Sequence, residues 1–138
     1  MRLLLDTHCW LWAEMSPERL SDAARSALED GENEVRFSAA SAWEMGIKNS
    51  LGKLRLPEQS VTYLPKRMAA LGISSLDITI EHALAAGALP ALHRDPFDRM
   101  LVAQAAFEGL MLMTADAQLL PYDVEILWAG RDPMPPRT

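Results

Sequence analysis

"RLLLD", residues 2–6, decides the fold. Three consecutive leucines between Arg2 and Asp6 leave the segment no wet face, so a strand built from them is covered on both sides. That is the signature of a parallel sheet with helices on both faces, and not of an antiparallel sheet with one face in water. Further strands follow along the chain, the first of them, residues 34–38, with alternating character. They are "EVRFS" (34–38), "ISSLDI" (73–78), "LMLMT" (110–114) and "EILW" (125–128).

Between these strands the apolar residues recur at helical spacing. "HCWLWAE" (8–14) follows a capping Thr7, and "SDAARSALEDG" (21–31) opens on Ser21 and stops at Gly31. "AASAWEMGIKNSLGK" (39–53) is a third helix, and "SVTYLPKRMAALG" (60–72) a fourth with a break or kink expected at Pro65. Thr79 caps "IEHALAAGALP" (80–90), "FDRMLVAQAAFEG" (97–109) is strongly helical, and "ADAQLL" (115–120) is a short helical stretch. Strands alternating with helices predict an α/β fold, with helices on both faces of a mostly parallel sheet of four to five strands. The expected organisation is one domain over residues 1–128, followed by a proline-rich tail over 129–138 that frays.

Half of the 138 residues are apolar and the charged fraction is ordinary, which excludes a disordered chain. The net charge of −6 argues against holding nucleic acid by bulk attraction, while leaving room for a local groove or a metal-neutralised acidic site. Cys9 is the single cysteine, so an internal disulfide and a cysteine-rich zinc site are both excluded, and a reducing cytoplasm is expected. Asp6 cuts the N-terminal apolar run too short for a secretory signal, and no membrane segment is expected.

In open parallel sheets ligands collect outside the carboxyl ends of the strands. Four acids are expected there: Asp6 ending the first strand, Glu44 early in the helix after the second, Asp98 in the first turn of the helix before the fourth, and Asp116 just beyond the fourth. Each also has a purely structural reading. Asp6 caps the next helix, Glu44 pairs with Lys48 four residues on, and Thr114 and Asp116 cap a short turn. In "HRDPFDRML" (93–101), Asp95 with Pro96 is a helix start, and Asp98 complements the helix dipole. If the four carboxylates converge, they repel one another unless a cation holds them. An oxygen-only set selects Mg2+ or Mn2+, and the chemistry such an ion serves is phosphodiester hydrolysis.

"LLLDTHCWLW" (3–12), "SAASAWEMGIKNSLGKLRL" (38–56), "HRDPFDRMLVAQA" (93–105) and "LMTADAQL" (112–119), in this order, resemble the PIN-domain family. The likeness is nearest to VapC-type toxin ribonucleases of bacterial type II toxin–antitoxin systems, and it runs over about residues 1–128. The resemblance implies a three-layer α/β/α PIN-like domain and a divalent-metal endoribonuclease that leaves a 5′-phosphate and a 3′-hydroxyl. It carries the family's four acids onto Asp6, Glu44, Asp98 and Asp116. Asp6 and Asp98 are then the firmest metal ligands, Asp116 completes the site directly or through water, and Glu44 binds metal or orients the water. Thr114 is implied as a supporting hydroxyl, with Asp95 outside the usual set, as a helix cap first and an outer acid second. Arg99, Lys48 and Arg94 are candidate phosphate contacts, each with a surface salt bridge as its structural alternative. The resemblance further implies an RNA substrate, a small cognate antitoxin, a homodimer, and a hetero-oligomer with the antitoxin.

Rival readings lose on the residues. His8, His82 and His93 lack metal-ligand spacing and read as surface or core positions. "DTH" lacks the second aspartate of a dehalogenase-type phosphatase, and Asp6 stands without the neighbouring acids of a phosphoacceptor domain. The four tryptophans read as core or dimer packing ahead of base stacking. The remaining alternative is a catalytically silent PIN-like interaction domain.

Overall fold

The computed structural model describes residues 1–137. Five strands, β1 (Arg2–Leu5), β2 (Glu34–Ser38), β3 (Ser74–Leu76), β4 (Met111–Thr114) and β5 (Ile126–Trp128), form one sheet in the order β3-β2-β1-β4-β5. Every pairing in it is parallel. The helices are α1 (Thr7–Met15), α2 (Asp22–Glu29), α3 (Ala39–Ser50), α4 (Ser60–Leu71), α5 (Ile80–Ala88) and α6 (Pro96–Glu108), with 3₁₀ turns at Pro17–Arg19 and Ala117–Leu119.

The leucine run behaves as its composition requires. Leu3 and Leu5 join one core with Trp10, Ala24, Phe37, Met45 and Leu64. Leu4, one residue out of phase, joins a second core with Leu101, Val102, Ala105 and Leu112 on the opposite face. All three leucines are essentially without solvent contact, which places β1 centrally in a three-layer α/β/α sandwich.

The strand order reverses beside β1. The chain steps outward through β2 and β3 on one side, then returns to lay β4 and β5 on the other. The crevice outside the carboxyl ends of β1 and β4 is therefore the sheet's topological switch point. The Asp6 amide, donating to the Met113 carbonyl at 3.0 Å, closes the ladder at that end.

Of the two caps the sequence offers for α1, Asp6 is the one used and Thr7 is not, because the Asp6 carboxylate accepts from the His8 amide at 3.1 Å. Helix α4 does not end at Pro65. It is fastened to α1 on both sides of the proline, where buried Glu14 accepts from the Tyr63 hydroxyl and the Arg67 Nε, each at 2.8 Å. The segment after Trp128 makes contacts with the domain. Ala129 is fully buried, and the Arg137 guanidinium donates to the carbonyls of Leu120, Tyr122 and Val124 at 3.0, 2.8 and 2.8 Å. Thr138 lies outside the described residues. Among the described residues, no helix is long and apolar enough to cross a membrane.

Candidate metal and active site

Asp6 stands at the end of β1 with its side chain 4% exposed. Both its oxygens are engaged: Oδ1 accepts from the His8 amide, and Oδ2 accepts from the Thr114 hydroxyl at 2.6 Å. The same hydroxyl oxygen accepts from the Asp116 amide at 3.0 Å. Thr114, at the end of the neighbouring strand and fully buried, thus fixes the relative position of two acids. Asp116 in turn caps the 3₁₀ turn, with its Oδ1 accepting from the Gln118 amide at 2.9 Å.

The third acid arrives on α6. Asp95 and Pro96 start the helix as the sequence indicates, and Asp95 Oδ1 accepts from the amides of Phe97 and Asp98 at 2.9 and 3.1 Å. This cap orients the first turn and turns Asp98 toward the crevice. Asp98 Oδ2 meets the imidazole Nε2 of His93 at 2.8 Å. Ligand atoms of His93, Asp98 and Asp116 all lie within 4.8 Å of one another.

The acids sense one another electrostatically. The Asp98 carboxyl is pushed from 3.8 up to about 6, chiefly by burial. The His93 hydrogen bond opposes the rise, and the negative charges of Asp6, Asp95 and Asp116 add to it. Asp6 is also raised, first by burial, against the hydrogen bonds from Thr114 and the His8 amide, with Asp116 adding repulsion. Carboxylates crowded together away from water in this way are stabilised by a cation placed between them. The donor set suits a divalent ion, with Asp98, Asp116 and His93 nearest together and Asp6 beside them.

Glu44 is placed differently. It is buried in α3, and its partner is Lys48, whose Nζ donates to its Oε2 at 3.1 Å. Helix α3 nevertheless lies along the start of α6, where the Trp43 ring meets Phe97 edge-on at 5.3 Å.

Two residues depart from expectation. Arg99 is engaged by the fold, because its guanidinium donates to the carbonyls of Pro90, His93, Ala86 and Leu89 at 3.0–3.3 Å. It acts as a rivet between the end of α5 and the loop before α6. His93 is the residue sequence reasoning missed. It sits in that loop, where helical spacing does not apply, and its one sequence signal is its place at the head of "HRDPFD". His82 does lie in the core, closing a capping box with Thr79 at the start of α5, and His8 is exposed. Lys48 is tied to Glu44, and Arg94 is exposed beside His93.

A recess of about 260 Å³ beside the acids is lined by Asp6, His8, Trp12 and Asp116. A more apolar recess of about 410 Å³ lies on the other flank of α1, between Trp10, Leu28, Leu71 and Ile73. Trp10 is fully buried, Trp12 and Trp128 are half-buried, and Trp43 is 65% exposed.

The sequence matches the PIN domain family over residues 3–125. It is 32% identical to Ribonuclease VapC22 of Mycobacterium tuberculosis over 118 residues, covering 85% of this chain and 88% of that protein. It is 42% identical to Ribonuclease VapC16 of the same organism over 69 residues, covering 48% of this chain and about half, 49%, of that relative. Among solved structures, a chain of VapBC2 from Rickettsia felis, bound to a DNA fragment from its promoter, superposes with a TM-score of 0.72 at 17% identity, covering 94% of this chain and 99% of that one. A chain of DNA-bound VapBC from Salmonella typhimurium does so with a TM-score of 0.67 at 18% identity, covering 92% and 97%. The structural likeness repeats the α/β/α fold, and the sequence match spans nearly all of it. This chain belongs to the PIN-domain family, to which it is joined by its likeness to VapC ribonucleases.

Proposed function

We propose that this chain is a metal-dependent endoribonuclease acting as the toxin of a toxin–antitoxin pair. The observation that carries the reading is the meeting of Asp6, Asp98 and Asp116 at the switch point, with the Asp98 carboxyl pushed up to about 6 by burial and by its acidic neighbours. The likeness to proteins named as VapC ribonucleases supports RNA as the substrate class. We assign Asp98, Asp116 and Asp6 to holding Mg2+ or Mn2+, and Glu44 to the edge of the site, toward water or substrate. A divalent ion bound there supplies positive charge for the scissile phosphate and makes a bound water more acidic. The chain's own residues do the positioning. Thr114 locks Asp6 and Asp116 together, and Asp95 sets the helix start that aims Asp98.

The partner is a small antitoxin, expected to cover the acidic mouth with a basic segment, and the site of action is the cytoplasm. Trp43 and Ile47 on α3, and Leu51 at its C-cap, stand exposed one turn apart. We assign this stripe to self-association in a homodimer, which sedimentation equilibrium of the wild type against Trp43→Ser tests.

RNA cleavage by purified, partner-free protein with Mg2+ or Mn2+, compared with Asp98→Asn, tests the central reading. The expected result is cleavage by the wild type and a loss of at least about 100-fold in the variant, on the scale of removing one essential charged group from a site. Equal cutting by both removes Asp98 from the catalytic set, and no cutting by either favours the silent interaction domain.

A further inference from the structure

We propose that His93 is a nitrogen ligand of the metal site, which makes the site a mixed nitrogen–oxygen centre favouring Mn2+ over Mg2+. The inference rests on the metal-nuclease reading and adds a ligand and an ion preference to it.

The first ground is distance. Two ligand atoms each about 2.1 Å from one octahedral ion stand about 3.0 Å apart when they are neighbours on it. His93 Nε2 and Asp98 Oδ2 are already 2.8 Å apart. Asp116 brings a third ligand atom within 4.8 Å of both, so a shift of an ångström or two completes a three-sided cradle.

The second ground is that His93 is held in place by residues with no other task at the site. Its carbonyl accepts from Arg99 Nη1, and the same guanidinium grips Ala86, Leu89 and Pro90. Loop residues 89–95 are thereby fixed between the end of α5 and the Asp95 cap of α6. An imidazole on a loop pinned at both ends is placed, and its side chain is only 16% exposed.

The third ground is chemical type. A set made of carboxylates alone does not distinguish strongly between hard divalent ions. An imidazole nitrogen favours the later, softer ion of a pair, so Mn2+ gains relative to Mg2+. In the ligating form the imidazole is neutral, with its lone pair on Nε2 and its proton on Nδ1. The hydrogen bond to Asp98 is replaced by two bonds to the same ion.

Electron spin echo measurements on the Mn2+-loaded wild type test this without any cleavage assay. The expected result is nitrogen modulation of the imidazole kind in the wild type and in His8→Gln, and its absence in His93→Gln. A titration of free Mn2+ by its resonance signal should show His93→Gln binding about 10- to 100-fold more weakly, the usual loss when a metal-supporting group is removed. Mg2+ competition should weaken by a smaller factor. Bound Mn2+ without nitrogen modulation in the wild type, or modulation that persists in His93→Gln, overturns the proposal while leaving the metal-nuclease reading intact. Mn2+ that does not bind, or that binds Asp98→Asn as well as the wild type, overturns both.

Discussion

The Thr114 hydroxyl donates to Asp6 Oδ2 at 2.6 Å and, through the same oxygen, accepts from the Asp116 amide. One side chain at the end of β4 therefore serves two acids on separate segments. Thr114→Val keeps the shape and removes both bonds. It leaves the Asp6 carboxylate short of a donor in a buried place, which costs about 1–3 kcal/mol. Urea denaturation should record that loss, RNA cleavage should fall at least about tenfold, and Thr114→Ser should restore most of both.

Acidification should stabilise the metal-free protein. The folded Asp98 carboxyl titrates at about 6 against an ordinary 3.8, so the folded state takes up its proton first as pH falls. Stability is gained between these two values on going down in pH, the reverse of a salt-bridged aspartate. Asp6 is shifted in the same direction. Melting temperature measured with chelator from pH 7 to pH 4 should rise in this window for the wild type. In Asp98→Asn the rise should shrink, and saturating Mn2+ at pH 7 should replace it. A wild-type curve that only falls would contradict the electrostatics of the site.

Arg99→Leu should damage the fold before it touches RNA. Four carbonyls lose their donor, and a charged hydrogen bond of this kind contributes about 1.5–3 kcal/mol. Hydrogen exchange should show residues 86–93 opening more readily, with Mn2+ affinity reduced as His93 loses its anchor. Unchanged exchange together with weakened RNA binding would instead restore Arg99 as a phosphate contact.

Glu44→Gln should separate metal from substrate. Glu44 leans on Lys48 and stands outside the His93, Asp98 and Asp116 group. The variant should bind Mn2+ within about threefold of the wild type, as expected for a weakly coupled neighbour, yet cleave RNA more slowly. An affinity loss equal to that of Asp98→Asn would move Glu44 into the ligand set.

The sequence disclosed what depends on local pattern. The leucine run placed β1, "DPFD" placed the start of α6, and the positions of Asp6, Asp98 and Asp116 followed from strand and helix ends. Pro65 misled because the fastening that carries α4 through it comes from Glu14, some fifty residues earlier. The surroundings of His93 and Arg99 were not legible, for a shared reason. The carbonyls that claim Arg99 become neighbours only when α5 turns back against α6, and no spacing in the chain announces that loop. The contact of the tail was not legible either, since it comes from a single arginine finding three carbonyls between β4 and β5.

The arginine rivets also bear on how RNA would meet this protein. Arg99 and Arg137 hold seven carbonyls between them, Arg67 holds Glu14, and Arg131 reaches the carbonyls of Glu18 and Leu20. In a chain of net charge −6, these four of the thirteen lysines and arginines are thus engaged by the protein's own groups. If few phosphates meet the remaining basic side chains, the salt dependence of RNA binding should be shallow, each phosphate neutralised on a single strand contributing a slope of about −0.7 in log affinity against log salt. On the proposed reading, the nuclease draws little on long-range attraction and its grip on RNA would depend on an ion at the crevice.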